Sequence, residues 1–137
     1  MQRIAKCQCQ EFRAVVTGEP AVVNICHRTD CQRRTGVPLT SNANFHIADM
    51  RLEGDYKTYS RATSSGRSAH NYFCPNCGTT LCWKLDVRPD QYGVGIGAFN
   101  DPGFTAPTVS VWESSKYDWV TVPAKIEHFT RGLPSES

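Results

Sequence analysis

Two pairs of closely spaced cysteines could together bind a metal ion. Cys74 and Cys77 flank a Pro-Asn dipeptide and precede Gly78, whereas Cys7 and Cys9 are separated by a single residue. A C-x-x-C turn presents two thiolates from one loop, and structural zinc prefers four such ligands in a tetrahedron. If Cys7 and Cys9 lie on an extended strand, their side chains project to the same face and complete the set. The spacing therefore predicts a structural zinc held by Cys7, Cys9, Cys74 and Cys77.

The cysteine count also bears on redox state and compartment. Seven cysteines among 137 residues is a high and odd number, which argues against a framework made only of disulfides. Free cysteine pairs or two disulfides are the alternative to zinc, but a disulfide between Cys7 and Cys9 would be strained. Residues 1–6 lack the apolar segment of a signal peptide. We therefore expect a reducing, cytoplasmic compartment, and the short apolar runs predict no membrane span.

A second concentration of reactive side chains follows at residues 26–36. Cys26 and Cys31 lie five positions apart, with a histidine, an arginine and an aspartate between them. Arg33 and Arg34 could bind a carboxylate through the guanidinium fork, or they could form a solvated helix face. A further cysteine, Cys82, is expected to be a buried core thiol.

The elements that must position these cysteines are mostly short β-segments separated by turn residues. We predict strands at residues 12–17, 21–25, 39–47, 56–60, 68–73, 79–83, 92–97, 108–112 and 119–122. The segments around Cys74 and Cys77 form a hairpin with the metal at its tip. One short helix is predicted at residues 29–36, capped by Thr29 or Asp30 and ended by Gly36, and a second turn is expected near residues 114–117.

Length and composition complete the expected architecture. A chain of 137 residues is enough for one domain, which we place at residues 1–137. Glycines at alternate positions 93, 95 and 97 predict a close approach on one face of a strand. A net charge of +2 with 20% charged residues indicates no nucleic-acid surface. Exposed strand edges are compatible with a monomer or a homodimer.

The order of these motifs resembles the glutathione-dependent formaldehyde-activating enzyme family, whose domain is shared with centromere protein V. The family's pattern is C-x-C, then C-H-C-x-x-C-[RQ]-[RK]-x-x-G, then F-C-x-x-C-G-[ST]. This chain supplies Cys7-Gln8-Cys9, then Cys26-His27-Arg28-Thr29-Asp30-Cys31-Gln32-Arg33-Arg34-Thr35-Gly36, then Phe73-Cys74-Pro75-Asn76-Cys77-Gly78-Thr79. The likeness continues at residues 94–97 and 112–120, so it covers nearly the whole chain.

The resemblance implies a zinc-anchored β-tent, which is a mostly β fold of small antiparallel sheets with one or two short helical turns. It implies a structural zinc on the four cysteines already identified, and a second, catalytic zinc on the cysteines of the middle motif. The reaction implied is the addition of glutathione to formaldehyde, giving S-hydroxymethylglutathione, and its reverse is a carbon–sulfur lyase step. The partner would be a small-molecule thiol or aldehyde adduct.

The chain departs from the family's pattern at Arg28, which replaces the middle cysteine of the second motif. Only Cys26 and Cys31 remain, whereas a catalytic zinc keeps three protein ligands and one open position. A guanidinium opposes a dication but stabilises neighbouring thiolates. Three outcomes follow for Cys26 and Cys31: no second zinc, a second zinc bound weakly with a substitute ligand, or a redox-sensitive cysteine pair. The candidate substitute ligands are His27, Asp30 and Cys82.

Two functions remain open on the sequence. The first is a zinc-binding carbon–sulfur lyase acting on glutathione–aldehyde adducts, with Cys26 and Cys31 at its catalytic site. The second is a zinc-stabilised binding domain that has lost catalysis and keeps only the structural zinc. Arg28 is the residue that distinguishes them.

Overall fold

The computed structural model describes residues 1–63 and 66–133, and strands dominate this part of the chain. The strands are β1 (Gln2–Lys6), β2 (Arg13–Thr17), β3 (Val22–Cys26), β4 (Thr40–His46), β5 (Met50–Glu53), β6 (Lys57–Ala62), β7 (Ser68–Phe73), β8 (Thr80–Leu85), β9 (Arg88–Gly95), β10 (Val109–Val111) and β11 (Glu127–His128). The helices are α1 (Thr29–Thr35) and three 3₁₀ turns at Ile47–Asp49, Ile96–Phe99 and Glu113–Ser115. The mostly β class is therefore confirmed. None of the helices described has the length and apolar character needed to span a bilayer.

The strands form two sheets. The smaller sheet has the order β1-β2-β5, and the larger has the order β11-β10-β3-β4-β9-β8-β7-β6. Pairing is antiparallel except at β10, which runs parallel to both β3 and β11. The predicted hairpin of β7 and β8 is confirmed, and the C-x-x-C segment lies at its tip.

The core lies between the smaller sheet and the middle of the larger one. Its fully buried members include Ala14 and Val16 of β2, Ala43 and Phe45 of β4, and Phe12. Successive side chains of a strand point to opposite faces. Residues 42 and 44 of β4 therefore face away from this core, and both line a cleft on the other side of the larger sheet.

The helix α1 begins and ends where the sequence predicts, but its N-terminus is capped differently. Gly36 adopts the left-handed conformation with φ of 78° and donates its N–H to the Gln32 carbonyl, as expected for a C-terminal cap. The N-cap residue is Arg28, with no side-chain cap, so the predicted capping by Thr29 or Asp30 was wrong. The Asp30 carboxylate instead accepts a hydrogen bond from Arg61.

Several other segments differ from the sequence prediction. The two-residue strand β11 was not predicted, and the strand predicted at residues 92–97 ends at Gly95, where a 3₁₀ turn follows. The strand predicted at residues 119–122 is wrong, because this stretch is turn and irregular structure with Trp119 72% exposed. Strands β1 and β5 were not predicted, since each is short and buries a single apolar side chain, Ala5 and Met50 respectively. Both strands lie at the edges of the smaller sheet.

Candidate metal centre and thiol cleft

The first candidate site is a cluster of four cysteine sulfurs, which we call the four-cysteine centre. The sulfurs of Cys7, Cys9, Cys74 and Cys77 all lie within 4.8 Å of one another. The Sγ atoms of Cys7 and Cys9, and those of Cys9 and Cys74, are 3.6 Å apart. A tetrahedral zinc with bonds of about 2.3 Å places its sulfurs about 3.8 Å apart. The cluster could therefore hold a metal ion, and within residues 1–63 and 66–133 no other group of three or more His, Cys, Asp or Glu is so placed.

The first two sulfurs are presented by a turn rather than by a strand. Cys7 follows the end of β1, and its carbonyl accepts the Gln10 N–H at 2.9 Å. Gln10 has a φ of 71°, which lets the chain reverse so that Cys7 N–H reaches the Phe12 carbonyl at 3.0 Å. The expectation of an extended strand at Cys7 and Cys9 was thus wrong, because a turn brings the two side chains together instead.

The other two sulfurs come from the tip of the β7–β8 hairpin. The Cys74 N–H bonds the Thr79 carbonyl at 3.0 Å, and the Gly78 N–H bonds the Cys74 carbonyl at 2.8 Å. Gly78 has a φ of 80°, a conformation that a side chain disfavours. This glycine allows the chain to turn tightly around the sulfurs.

Hydrogen bonds to the sulfurs favour thiolates at two of these positions. The Thr79 hydroxyl lies 3.2 Å from the Cys77 sulfur, and this group and the Thr79 N–H lower the pKa of Cys77 to about 5. The side chain of Asn76 and the backbone N–H of Glu11 lower the pKa of Cys9.

The pKa of the buried Cys74 thiol is raised by the sulfurs that surround it. The N–H of Cys77 lowers its pKa, but burial and the neighbouring thiols of Cys9 and Cys7 outweigh that and raise the pKa of Cys74 to about 11. Several thiolates this close repel one another unless a cation balances them. The donor set and its surroundings therefore fit a metal dication.

The second candidate site is the cleft on the outer face of the larger sheet, which we call the thiol cleft. It has a volume of about 80 Å³ and is bordered by α1, by the strands beneath it and by two tryptophans. Its lining residues that carry charge or sulfur are Cys26, Arg28, Asp30, Cys31, Arg34 and Arg61. The predicted site residues Cys26 and Cys31 are thus brought together here, in a cleft that shares no lining residue with the four-cysteine centre.

Cys26 and Cys31 form a close pair in the cleft. Cys26 ends β3 and Cys31 lies in the first turn of α1, with their sulfurs 3.5 Å apart and the Cys26 S–H donating to Cys31. That hydrogen bond, together with the charge of the Arg34 guanidinium, lowers the pKa of Cys31 to about 6 against the effect of burial. The same interaction and burial raise the pKa of Cys26. The pair therefore carries one thiolate near neutral pH, at Cys31.

Two arginines are held in the cleft by tryptophan rings. The guanidinium carbon of Arg34 lies 4.0 Å from the ring centroid of Trp83, and that of Arg28 lies 4.9 Å from the ring centroid of Trp112. The Nη2 atom of Arg34 is buried and has no hydrogen-bond partner within the described part of the chain. An unpaired buried donor is costly, so this nitrogen is available to a ligand acceptor.

The third arginine of the cleft is paired with its single carboxylate. Arg61 of β6 donates to Asp30 at 3.0 Å, and Arg28 Nε lies 3.6 Å from the same oxygen. Three guanidiniums against one carboxylate leave the cleft lining positive. Such a site attracts anions, and the guanidinium fork matches carboxylate geometry.

The residues present do not fit a second, catalytic zinc. The His27 side chain is fully buried, and its Nε2 lies 2.9 Å from Ser110 Oγ. Cys82 is buried in the core on the other side of the sheet, as the sequence predicted. Asp30 is committed to its arginines. Two sulfurs beside a guanidinium fall short of the three ligands that a catalytic zinc needs.

Some cleft residues could be predicted from the sequence and others could not. The expected close approach is confirmed at Gly93, where a Cβ would overlap the Trp83 indole, whereas Gly95 and Gly97 face open space. Arg34 lines the cleft, whereas Arg33 is exposed outside it, as expected for a solvated helix face. Arg61 was missed, because only the folding of β6 beside β7 brings it near Asp30.

Fold and site together define a small mostly β protein with a cysteine-rich metal-type centre and a second site, the thiol cleft. The sequence profile described as glutathione-dependent formaldehyde-activating enzyme matches residues 2–115. The chain therefore belongs to this family, as its motifs indicated.

Solved structures show a similar fold. The crystal structure of a Rhodobacter sphaeroides protein, determined as a structural genomics target, is similar with a TM-score of 0.57 and 22% sequence identity. The match covers 74% of this chain and 90% of that one. At this identity the likeness concerns the fold alone. Comparison with curated proteins gives no significant match.

Proposed function

We propose that this protein is a zinc-stabilised carbon–sulfur lyase that acts on S-hydroxymethyl-type adducts of a glutathione-class thiol. The observation that carries the proposal is the thiol cleft, which places the Cys31 thiolate among three guanidiniums. Family membership supports the same chemistry. We treat residues 1–137 as one domain, in which the four-cysteine centre is structural and the thiol cleft is the reactive site.

The four-cysteine centre would hold one zinc ion through Cys7, Cys9, Cys74 and Cys77. With four protein sulfurs and no open position, such a zinc is structural. Cys9 and Cys74 are 65 positions apart, and closing a loop of that size is worth about 4 kcal/mol in the chain-entropy model. The ion would therefore stabilise the fold by tying the β1–β2 turn to the β7–β8 hairpin.

The thiol cleft is suited to an anionic thiol adduct. The unpartnered Nη2 of Arg34 and the guanidiniums of Arg28 and Arg61 can donate hydrogen bonds to ligand carboxylates. A cleft of about 80 Å³ takes the sulfur-bearing end of such an adduct, while its carboxylates reach the arginines at the wall. The Cys26–Cys31 pair is then next to the adduct's hemithioacetal group.

The lyase step needs a base and a group that stabilises the leaving sulfur. The Cys31 thiolate takes the proton of the adduct hydroxyl, and the carbon–oxygen bond becomes the carbonyl of the released aldehyde. The carbon–sulfur bond breaks, its electron pair stays on the adduct sulfur, and Arg28 stabilises that thiolate. No step in this scheme requires a second metal ion.

The test is the exchange between glutathione, formaldehyde and their adduct, followed by NMR exchange spectroscopy. Because the reaction also proceeds without a catalyst, the rate in buffer is the baseline. We expect the zinc-loaded protein to raise the exchange rate, Cys31→Ser to remove the increase, and Cys82→Ala in the core to retain it. An exchange rate equal to that in buffer would contradict the proposal.

A second candidate function is a zinc-stabilised binding domain without catalysis. The observation that favours it is Arg28 in place of the family's third cysteine, since the donor set in the cleft does not fit a catalytic zinc. This function predicts saturable binding of the adduct or of glutathione by calorimetry, reduced by Arg34→Gln, with no gain in exchange rate.

A further inference from the structure

We infer that Cys26 and Cys31 form a dithiol–disulfide centre that reduces small anionic disulfides entering the thiol cleft. This oxidation–reduction activity is separate from the proposed lyase step, which transfers no electrons. It uses the same cleft but requires neither an aldehyde adduct nor a lyase turnover.

The first support is the geometry of the pair. The two sulfurs are 3.5 Å apart, and a disulfide has an S–S distance of about 2.05 Å, so the atoms need to approach by about 1.5 Å. Cys31 belongs to a helix of only seven residues, while Cys26 is fixed at the end of a paired strand. Movement of the first turn of α1 can therefore close the bond without disturbing the larger sheet.

The second support is the unequal setting of the two thiols. Cys31 is partly exposed and lies beside Arg34, whereas Cys26 is 6% exposed and donates its hydrogen to Cys31. A disulfide entering from the cleft mouth meets Cys31 first. Cys31 is therefore the attacking sulfur, and Cys26 is the resolving sulfur behind it.

The exchange balances in two steps. The Cys31 thiolate attacks one sulfur of the disulfide, forming a mixed disulfide and expelling the first thiolate with the electron pair of the broken bond. Cys26 then loses its proton and attacks the Cys31 sulfur, expelling the second thiolate and forming the Cys26–Cys31 disulfide. The protein dithiol is oxidised by two electrons, and the small disulfide is reduced to two thiols, of which one takes up the proton lost by Cys26 and the other takes a proton from water.

The charge of the cleft sets the substrate class. Arg28, Arg34 and Arg61 outnumber the single carboxylate of Asp30, and Arg34 Nη2 has no acceptor among the described residues. A disulfide that carries carboxylates can supply this acceptor, whereas a cationic disulfide meets repulsion. We therefore assign the centre to carboxylate-bearing disulfides.

The test uses three probes with the same reacting bond and different charge: glutathione disulfide, 2-hydroxyethyl disulfide and cystamine. The zinc-loaded, prereduced protein is mixed with each, and oxidation is followed by tryptophan fluorescence, because Trp83 and Trp112 line the cleft. Peptide mass mapping then locates the disulfide. We expect a Cys26–Cys31 disulfide, formed about tenfold faster with the anionic probe than with the cationic one.

Variants separate the roles of the residues. Cys26→Ser should stop at a stable mixed disulfide on Cys31, and Cys31→Ser should not react in the cleft. Arg34→Gln should reduce the preference for the anionic probe, while the exposed neighbour Arg33→Gln should retain it in full. Cys82→Ala is the control for the buried core thiol that belongs to neither site, and it should react like the wild type.

Three results would overturn the inference: equal rates for all three probes, a mixed disulfide that maps to Cys26, or oxidation confined to the four-cysteine centre with loss of zinc. Because this readout contains no aldehyde, its failure leaves the lyase proposal standing. A lyase assay without rate gain likewise leaves the dithiol centre standing.

Discussion

Replacing Arg28 by cysteine should create a second zinc site in the thiol cleft. The Cys26 and Cys31 sulfurs are already 3.5 Å apart. Arg28 lies between these two residues in the sequence and lines the same cleft. A third thiolate meets the minimum of three protein ligands for an open zinc site, and the substitution also removes a positive charge. We expect the variant to bind two zinc ions per chain where the wild type binds one.

The size of the effect can be worked out from the contacts that Arg28 makes. Without zinc, the variant loses the 4.9 Å contact of Arg28 with Trp112, worth about 0.5–1 kcal/mol. It also loses a 3.6 Å ion pair with Asp30, worth about 0–1 kcal/mol at a partly exposed site. The free energy of unfolding should therefore fall by about 0.5–2 kcal/mol. With zinc at a hundredfold excess over its dissociation constant, binding adds about 2.7 kcal/mol, so the sign of the change reverses.

The assay combines native mass spectrometry with thermal unfolding at low and high free zinc. The melting temperature of Arg28→Cys should lie below that of the wild type at low zinc and above it at high zinc. Arg33→Cys is the matched control, since residue 33 is exposed on the same helix and outside the cleft. An unchanged stoichiometry in folded Arg28→Cys would refute the placement of the second site.

Two further predictions concern the cleft and its support. The rate of alkylation of Cys31 by iodoacetamide should rise with pH with a midpoint of about 6, because the reactive thiolate forms as pH rises through that value. The charged and titratable groups that line the cleft with Cys31 are Cys26, Arg34, Arg28, Asp30 and Arg61. Arg34→Gln should raise this midpoint and Arg33→Gln should not. A wild-type midpoint near the usual pKa of cysteine would contradict the lowering of the Cys31 pKa by Cys26 and Arg34. Gly93→Ala should lower the free energy of unfolding by about 1–3 kcal/mol, since the new Cβ would overlap the Trp83 indole. In urea unfolding, Gly95→Ala is the control because it faces open space, and equal effects at both positions would count against the packing argument.

The sequence was most informative where a local rule acts alone. The C-x-x-C turn, its flanking hairpin and the end of α1 at Gly36 follow from short-range chemistry, and the structure has all three. The clustering of the four cysteines could also be predicted, because a structural zinc with four thiolate ligands accounts for both the C-x-C and the C-x-x-C pair. Cys7 and Cys9 nevertheless lie in a turn, since the chain reverses there to pair β1 with β2.

The thiol cleft was harder to predict because distant segments build it. Arg61 reaches Asp30 only through the pairing of β6 and β7 at the edge of the larger sheet. The sequence showed only that Arg28 replaces a cysteine ligand of the family's pattern. Its contact with the Trp112 ring is seen only in the structure. Trp119 was predicted to lie on a strand but is exposed in a turn. Tertiary contacts of this kind leave no periodic signal in a single sequence.

The most direct measurement is zinc K-edge X-ray absorption on protein purified without chelator, with metal quantified in the same sample. We expect one zinc per chain with four sulfur neighbours at about 2.3 Å, and loss of that signal in Cys9→Ser. A shell that contains nitrogen or oxygen, or a chain that carries no zinc, would contradict this expectation.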